Sequence, residues 1–334
     1  VLKFLSDNSD ESMMDDFRKS LALFRKKMEE ALDFVLETPS PDISVIVPVF
    51  NRETTVARCV DSILGQSVKA ARVIVVDDGS TDGTSSILKG YADRGKIVLL
   101  TKDRNEGVSA ARNSGIRAAR SQWIAFCDSD DVWERHKLER QWAYVTERPF
   151  YEIMQCDEIW IRDGRRVNSC KYHKKSEGFI FEKSLERCMV SPSAVLMRRR
   201  LFDDAGLFDE KLPACEDYEL WLRITGRFPV GLDGNLSLIK YGGHVDQLSR
   251  KYCAMDRFRV YAMARALSNE KSERRKDALR REISSRLEIL EQGSRKRGRL
   301  GEAETYLSLH REIQAGGAFG ELIERMSGGF YEVM

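Results

Sequence analysis

Trp123-Ile124-Ala125-Phe126-Cys127-Asp128-Ser129-Asp130-Asp131 is an apolar run that breaks abruptly into three acids. A short aromatic and β-compatible run of this kind reads as a buried strand, and the carboxyl ends of strands are where open α/β sheets place their ligands. Asp128 and Asp130 are two residues apart, so an extended backbone points both carboxylates to one side, where they can address one hard divalent cation. A cation so held could bridge to a diphosphate.

Working outward, apolar runs of the same kind recur. Ile43 to Val47, Val73 to Val76, Ile97 to Leu100 and Trp123 to Cys127 alternate with helical segments over 53–65, 82–93, 107–120 and 134–146. That βαβα order predicts a parallel sheet with helices on both faces. Beyond it, Tyr151 to Arg162 and Arg165 to Tyr172 read as a hairpin about Asp163-Gly164, followed by a helix near 178–189, a strand over 194–197 and a helix over 216–226. After residue 251 strands vanish, and charged helices are expected over 254–268, 273–292, 300–315 and 319–327. Their basic runs, Lys271 to Arg281 and Arg295 to Arg299, read first as solvated helix faces and second as a membrane-surface contact. Ahead of the sheet, Met13, Met14, Phe17, Leu21, Phe24, Met28, Leu32 and Val35 recur at helical spacing, and Thr38-Pro-Ser-Pro41 ends that amphipathic helix. The chain so divides into an N-terminal helix (1–40), an α/β domain (41–250, with halves 41–135 and 136–250) and a helical region (251–334).

Composition narrows the class. The 334 residues are 42% hydrophobic, and 55 Lys and Arg against 53 Asp and Glu leave a net charge of +2, which gives no global reason to expect nucleic acid. The mean hydropathy of −0.43 is that of a water-soluble globular chain. Seven scattered cysteines with no C-x-x-C pair argue against zinc or a disulfide framework and for reduced thiols in the cytoplasm. No apolar run approaches bilayer length and the first thirty residues are too acidic for a signal peptide. The chain opens on Val1 rather than Met, which leaves room for residues upstream.

Three further stretches carry chemistry. Pro48-Val49-Phe50-Asn51-Arg52-Glu53 ends the first strand, where proline lacks a ladder donor and freed main-chain groups can read a base edge; a plain strand-to-helix turn explains it as well. Asp77-Asp78-Gly79-Ser80-Thr81-Asp82 ends the second strand. A capped turn accounts for Ser80 to Gly83 but does not need two acids before the glycine, and an acid there can accept from a ribose hydroxyl or a base N–H. In Arg104-Asn-Glu-Gly-Val-Ser-Ala-Ala-Arg-Asn113, Gly107 and the small residues permit close approach of a ligand, Arg104 and Arg112 offer charge to a phosphate or base, and the alanines equally suit helix packing.

Together these stretches resemble the family 2 glycosyltransferases of the GT-A fold. The resemblance rests on Ile43-Ser-Val-Ile-Val-Pro-Val-Phe-Asn51, Val75-Val-Asp-Asp-Gly-Ser-Thr-Asp82, Asn105 to Asn113 and Asp128-Ser129-Asp130, in the family's order, with Gly206-Leu-Phe-Asp209, Glu216-Asp217 and Trp221-Leu-Arg223 following. It covers about residues 42–250 and leaves both helical ends unexplained. It implies a nucleotide-sugar donor at the first half of the sheet: Pro48, Phe50, Asn51 and Glu53 around the base, Asp78 on base or ribose, Arg104 and Arg112 supplying charge, and Asp128 and Ser129 near the sugar-nucleoside part. Asp130 would bind the Mg²⁺ or Mn²⁺ that neutralises the diphosphate as the anomeric C–O bond breaks. Glu216-Asp217, which on bare sequence could simply be acids at a helix N-terminus, becomes the acceptor-side pair, with Asp217 the general base of an inverting, non-processive transfer. His244, after Gly242-Gly243, would reach metal or diphosphate.

The expected setting is bacterial surface-polysaccharide or glycoconjugate assembly, with a UDP-sugar as leading donor and a saccharide or lipid-linked hydroxyl as acceptor. The enzyme is expected in the cytoplasm, with peripheral contact to the inner membrane face, and its apolar tail helices would pack together or form a homodimer. A processive synthase would carry membrane spans and Gln-x-x-Arg-Trp, and a dinucleotide enzyme would carry G-x-G-x-x-G after the first strand; this chain has none of these. A two-carboxylate hydrolase and a non-catalytic nucleotide-sugar-binding adaptor are the remaining alternatives.

Overall fold

A computed structural model describes residues 21–22, 24–26, 41–167, 174–243, 252 and 254–315. Its centre is β1 (Ile43–Val49), buried at every position and flanked in parallel by β2 (Arg72–Asp77) and by β4 (Trp123–Phe126). β3 (Val98–Thr101) adds in parallel outside β2. Because neighbours and helices cover both faces, β1 is apolar almost throughout instead of alternating. Its odd-numbered residues Val45, Val47 and Val49 join one core with Val56, Val60 and Ile63 of α1 (Val56–Leu64), while Ile46 points to the other with Ile74, Phe126 and Ile116.

Two more helices complete this parallel half, α2 (Thr84–Asp93) and α3 (Val108–Ala118). Gly115 of α3 sits so close to β1 that a Cβ there would lie 2.4 Å from the Ile46 side chain. The small residues of this segment therefore serve helix-on-sheet packing, with Ala110 and Ala111 buried. The carboxyl ends of β1, β2 and β4 meet along one edge, as the alternating pattern anticipates.

The second half departs from a parallel sheet. After the short β5 (Val132–Trp133) and α4 (Lys137–Glu147) come β6 (Ile153–Arg162) and β7 (Arg165–Val167), the expected hairpin. Next are α5 (Phe181–Glu186), shorter than the helix expected over 178–189, and β8 (Val195–Arg198), which inserts antiparallel between β4 and β6. α6 (Leu201–Ala205), α7 (Glu216–Thr225) and β9 (Val230–Gly242) follow. β9 runs parallel to β6 and antiparallel to β5, giving the order β3-β2-β1-β4-β8-β6-β9-β5 with β7 on β6.

Sequence reasoning missed β9, the longest strand among the described residues. Its Asp233-Gly234-Asn235 reads as a turn, and the ladder to β6 absorbs the disturbance through register shifts around Asp157. The result is the mixed α/β architecture expected for GT-A.

Three helices close the described chain: α8 (Asp256–Asn269), α9 (Glu273–Lys296) and α10 (Leu300–Gln314). Phe258, Leu279, Ile283, Leu287 and Leu309 form one core with Phe181, Leu185, Tyr218 and Leu222 of α5 and α7. A polar clamp reinforces that seam: Tyr261 donates to Asp209 at 2.9 Å, and Arg265 pairs with Asp209 and, at 3.2 Å, with Glu219. The C-terminal region is thus fastened to the half of the sheet that carries Glu216-Asp217. Of the expected N-terminal helix, the described residues 21–22 and 24–26 are helical, and the Phe24 ring packs 6.1 Å from Phe150. Its remaining residues, and the helix expected over 319–327, lie outside the described residues. Among those described, no helix is long and apolar enough to cross a membrane.

Candidate active site

The loops after β1 and β2 fasten each other. Asn51, at φ +50°, donates its amide to Ser80 Oγ (3.0 Å) while its Oδ1 accepts the Thr81 amide (2.8 Å). Glu53 accepts the Gly83 amide at 2.8 Å. The side chains expected around a base so also hold the two loops in register, and Phe50 stands 38% exposed beside them. Pro48 is buried within β1, opposite Val76.

Asp77 and Asp78 divide their work. Asp77 is buried and accepts from the Ser80 amide (3.0 Å) and the Ser85 hydroxyl, the capping role that a plain turn would give it. Asp78 is also buried, but it reaches the third loop: its Oδ2 accepts the Glu106 and Gly107 amides at 3.1 and 2.8 Å, and its Oδ1 lies 3.5 Å from Lys102 Nζ. Gly79 makes that approach possible. Its φ is +75°, and a Cβ there would lie 2.5 Å from the Arg104 backbone. Arg104 itself is exposed.

At the end of β4 the acids separate by partner. Arg112 of α3 is buried and forks between two carboxylates, with Nη2 2.8 Å from Asp128 Oδ1 and Nη1 2.5 Å from Glu216 Oε1. Its charge, expected to face a phosphate or base, is directed to these two acids. Burial alone would raise the Asp128 carboxyl, but Arg112, helped by Lys240, holds it below the usual range. For Glu216 burial dominates over Arg112 and the carboxyl is pushed up. The Asp128 amide donates to Ser193 Oγ at 2.9 Å, which anchors the strand end to the loop before β8. Ser129 is buried.

Asp130 is half-buried, and burial followed by the Asp128 charge pushes its carboxyl up. Arg58 lies over the Tyr241 ring at 3.8 Å and donates to the Asp130 carbonyl at 3.3 Å. Asp131 follows in a turn. Its amide closes that turn onto the Asp128 carbonyl (2.9 Å), but its side chain is 2% exposed and therefore interior, with a buried Oδ2 that accepts no hydrogen bond. The group beside it is Lys240, which follows the β5–β9 ladder pair Val132↔Ile239 and donates to Ser191 Oγ at 3.0 Å. Although burial opposes the charge, Asp131, Glu158 and Asp128 hold Lys240 protonated. Lys240 and Ser193 went unread in the sequence because β9 and the β8 loop were not placed.

Glu216 and Asp217 open α7, as expected. Glu216 turns inward to Arg112, whereas Asp217 stays half-buried with its Oδ1 accepting the Tyr218 amide at 2.7 Å. His244 lies outside the described residues. Among the described residues no group of three or more His, Cys, Asp or Glu side chains is gathered as a metal site. What they offer a cation is hard oxygen, the half-buried Asp130 carboxylate and, in the next residue, the buried Asp131 Oδ2 that accepts no hydrogen bond, a donor type that suits Mg²⁺ or Mn²⁺.

The profile of "Glycosyl transferase family 2" matches residues 44–206. The UDP-Glc:alpha-D-GlcNAc-diphosphoundecaprenol beta-1,3-glucosyltransferase WfgD of Escherichia coli is 31% identical over 206 residues, 60% of this chain and 74% of that protein. An uncharacterized glycosyltransferase of Rickettsia bellii (strain RML369-C) is 32% identical over 202 residues, 60% of this chain, and the match spans only 29% of that longer protein. Among solved structures, S. aureus TarS 1-349 in complex with UDP-GlcNAc superposes with a TM-score of 0.64 over 81% of each chain at 21% identity, a likeness of fold.

Proposed function

The chain belongs to glycosyltransferase family 2, and from that premise we propose that it moves a sugar from a nucleotide-diphosphate donor, a UDP-sugar, to an acceptor hydroxyl with inversion at the anomeric carbon. The observation that carries this reading is the Arg112 fork, which ties the acid at the end of β4 to the acid pair of α7 and so sets donor side against acceptor side. With Glu216 committed to Arg112, Asp217 is left as the base.

In the reaction the acceptor oxygen bonds to the anomeric carbon as its proton passes to Asp217, and the C–O bond to the diphosphate breaks with its electron pair leaving on the diphosphate. Asp130 would hold a divalent cation there, which would supply neutralising charge to the diphosphate as it leaves. Phe50, Asn51 and Asp78 frame the nucleoside, and Arg112 keeps Asp128 ionised near the sugar. The relative's name suggests the setting: a UDP-sugar and a saccharide on a lipid diphosphate, as in bacterial surface-polysaccharide assembly.

A thermal-shift and hydrolysis screen of UDP-, GDP- and dTDP-sugars with Mn²⁺ or EDTA tests this. UDP-sugars should raise the melting temperature only with the metal present, and Asp130→Ala should remove the shift. No response to any donor would overturn the donor reading, and a response indifferent to EDTA would overturn the metal's part in it.

A further inference from the structure

Asp217 is held at both oxygens by donors of unequal strength. Its Oδ1 takes the Tyr218 amide at 2.7 Å, while its Oδ2 lies 3.4 Å from the Sγ of Cys188. Cys188 comes from the segment after α5, 29 residues earlier in the chain, and its Sγ also lies 3.2 Å from the Val190 carbonyl. One thiol proton is therefore offered to two acceptors. Desolvation on the side packed against the protein, and then the Asp217 carboxylate, push the thiol up, so it remains an S–H donor at neutral pH. The site is reachable, for Cys188 is exposed.

We propose that Cys188 is a positioning residue for the general base, a reading that rests on Asp217 holding that role. A base must keep a lone pair available on the oxygen that meets the acceptor hydroxyl. An N–H or O–H donor on Oδ2 would fix its direction but compete for that lone pair, whereas a thiol is a weak donor that orients the carboxylate and takes little of its basicity. The stronger main-chain bond falls on Oδ1, the oxygen not used. The other ionisable groups facing this pair are Glu216 and Tyr218 on α7 itself, Cys215 just before it, Lys240 from β9, and Arg259 of α8 beside Cys215.

The contact is measurable on the full chain. Alkylation by iodoacetamide, followed at the Cys188 peptide by mass spectrometry across pH 6–10, reports the thiol's ionisation. Asp217→Asn should lower the midpoint of that profile and raise the alkylation rate at pH 8 severalfold. In UDP release from UDP-glucose or UDP-GlcNAc, Cys188→Ala should lower kcat about tenfold with the donor KM unchanged, and Cys188→Ser, which keeps the carboxylate's direction but puts a competing O–H donor on Oδ2, should recover only part of that loss. An alkylation profile unmoved by Asp217→Asn, or a Cys188→Ala enzyme with wild-type kcat, overturns the proposal. If Asp217→Asn does not fold, the Ala and Ser variants decide alone. Lost turnover in Asp217→Asn beside an undisturbed Cys188→Ala leaves Asp217 as the base and removes only Cys188; turnover retained in Asp217→Asn removes both.

Discussion

In the half of the sheet built on β1 and β2, the candidate site residues are fixed by loops next to one another: Asn51 to Ser80 and Thr81, Glu53 to Gly83, Asp78 to Glu106 and Gly107. In the half built on β8, β6 and β9, they are fixed from far away in the chain. Glu216 depends on an arginine 104 residues earlier, and Asp131 sits beside Lys240 on a strand that returns more than 100 residues later. Main-chain amides position the first half, and buried ion pairs position the second. The first arrangement depends on the backbone conformation at the strand ends, whereas the second depends on every element that carries a charge being in its place.

The largest predicted effect falls on the link between the halves. Arg112→Ala leaves the buried Glu216 and the half-buried Asp128 without their cation, which should cost about 3 kcal/mol in urea unfolding. A loss below about 1 kcal/mol would mean that the fork is not what joins the halves.

Lys137 gives a second contrast, since it is buried and its ammonium donates to Gln141 Oε1 at 2.7 Å and lies over the Trp133 ring, with no carboxylate paired to it among the described residues. Burial lowers its pKa to about 8. Between pH 8 and roughly 10.4 the unfolded chain binds the proton that the folded one has released, so stability should rise with pH across that window and carry its full penalty below it. At pH 7 that penalty is on the order of 3 kcal/mol, and Lys137→Met should recover about 2 of it after losing the Gln141 bond. The variant's melting temperature should also rise less between pH 7.5 and 9.5 than the wild type's. Equal pH dependence in both would refute the assignment.

The smallest effect is in the loop-built half. Gly79→Ala meets both a positive φ and the Arg104 backbone, so it should cost about 1–2 kcal/mol. It should also weaken UDP binding, because Asp78 loses its approach to Gly107. Unchanged nucleotide affinity would separate that loop from the donor site.

Legibility in the sequence follows the same division. The parallel half could be read because its signals are contiguous: an apolar run, then Pro48 or Asp77-Asp78-Gly79 or Asp128, all within one strand end. The partner of Arg112 could not be read, since nothing local distinguishes a guanidinium aimed at a phosphate from one aimed at two carboxylates across the sheet. β9 was hidden by Asp233-Gly234-Asn235, residues that a turn would use and that here sit at a disturbed ladder. The burial of Asp131 could not be read for the same reason, because Lys240, the cation that acts on it, belongs to that unread strand.

The proposed division of labour has the β1–β2–β4 edge bind the donor and Asp217 on the far side remove the acceptor proton. Measuring UDP-sugar affinity and transfer together in Asp217→Asn tests it most directly. Donor affinity with Mn²⁺ should stay within about threefold of wild type while transfer falls by about 10²–10⁴-fold. Transfer at the wild-type rate, or transfer and donor affinity lost together, would contradict it.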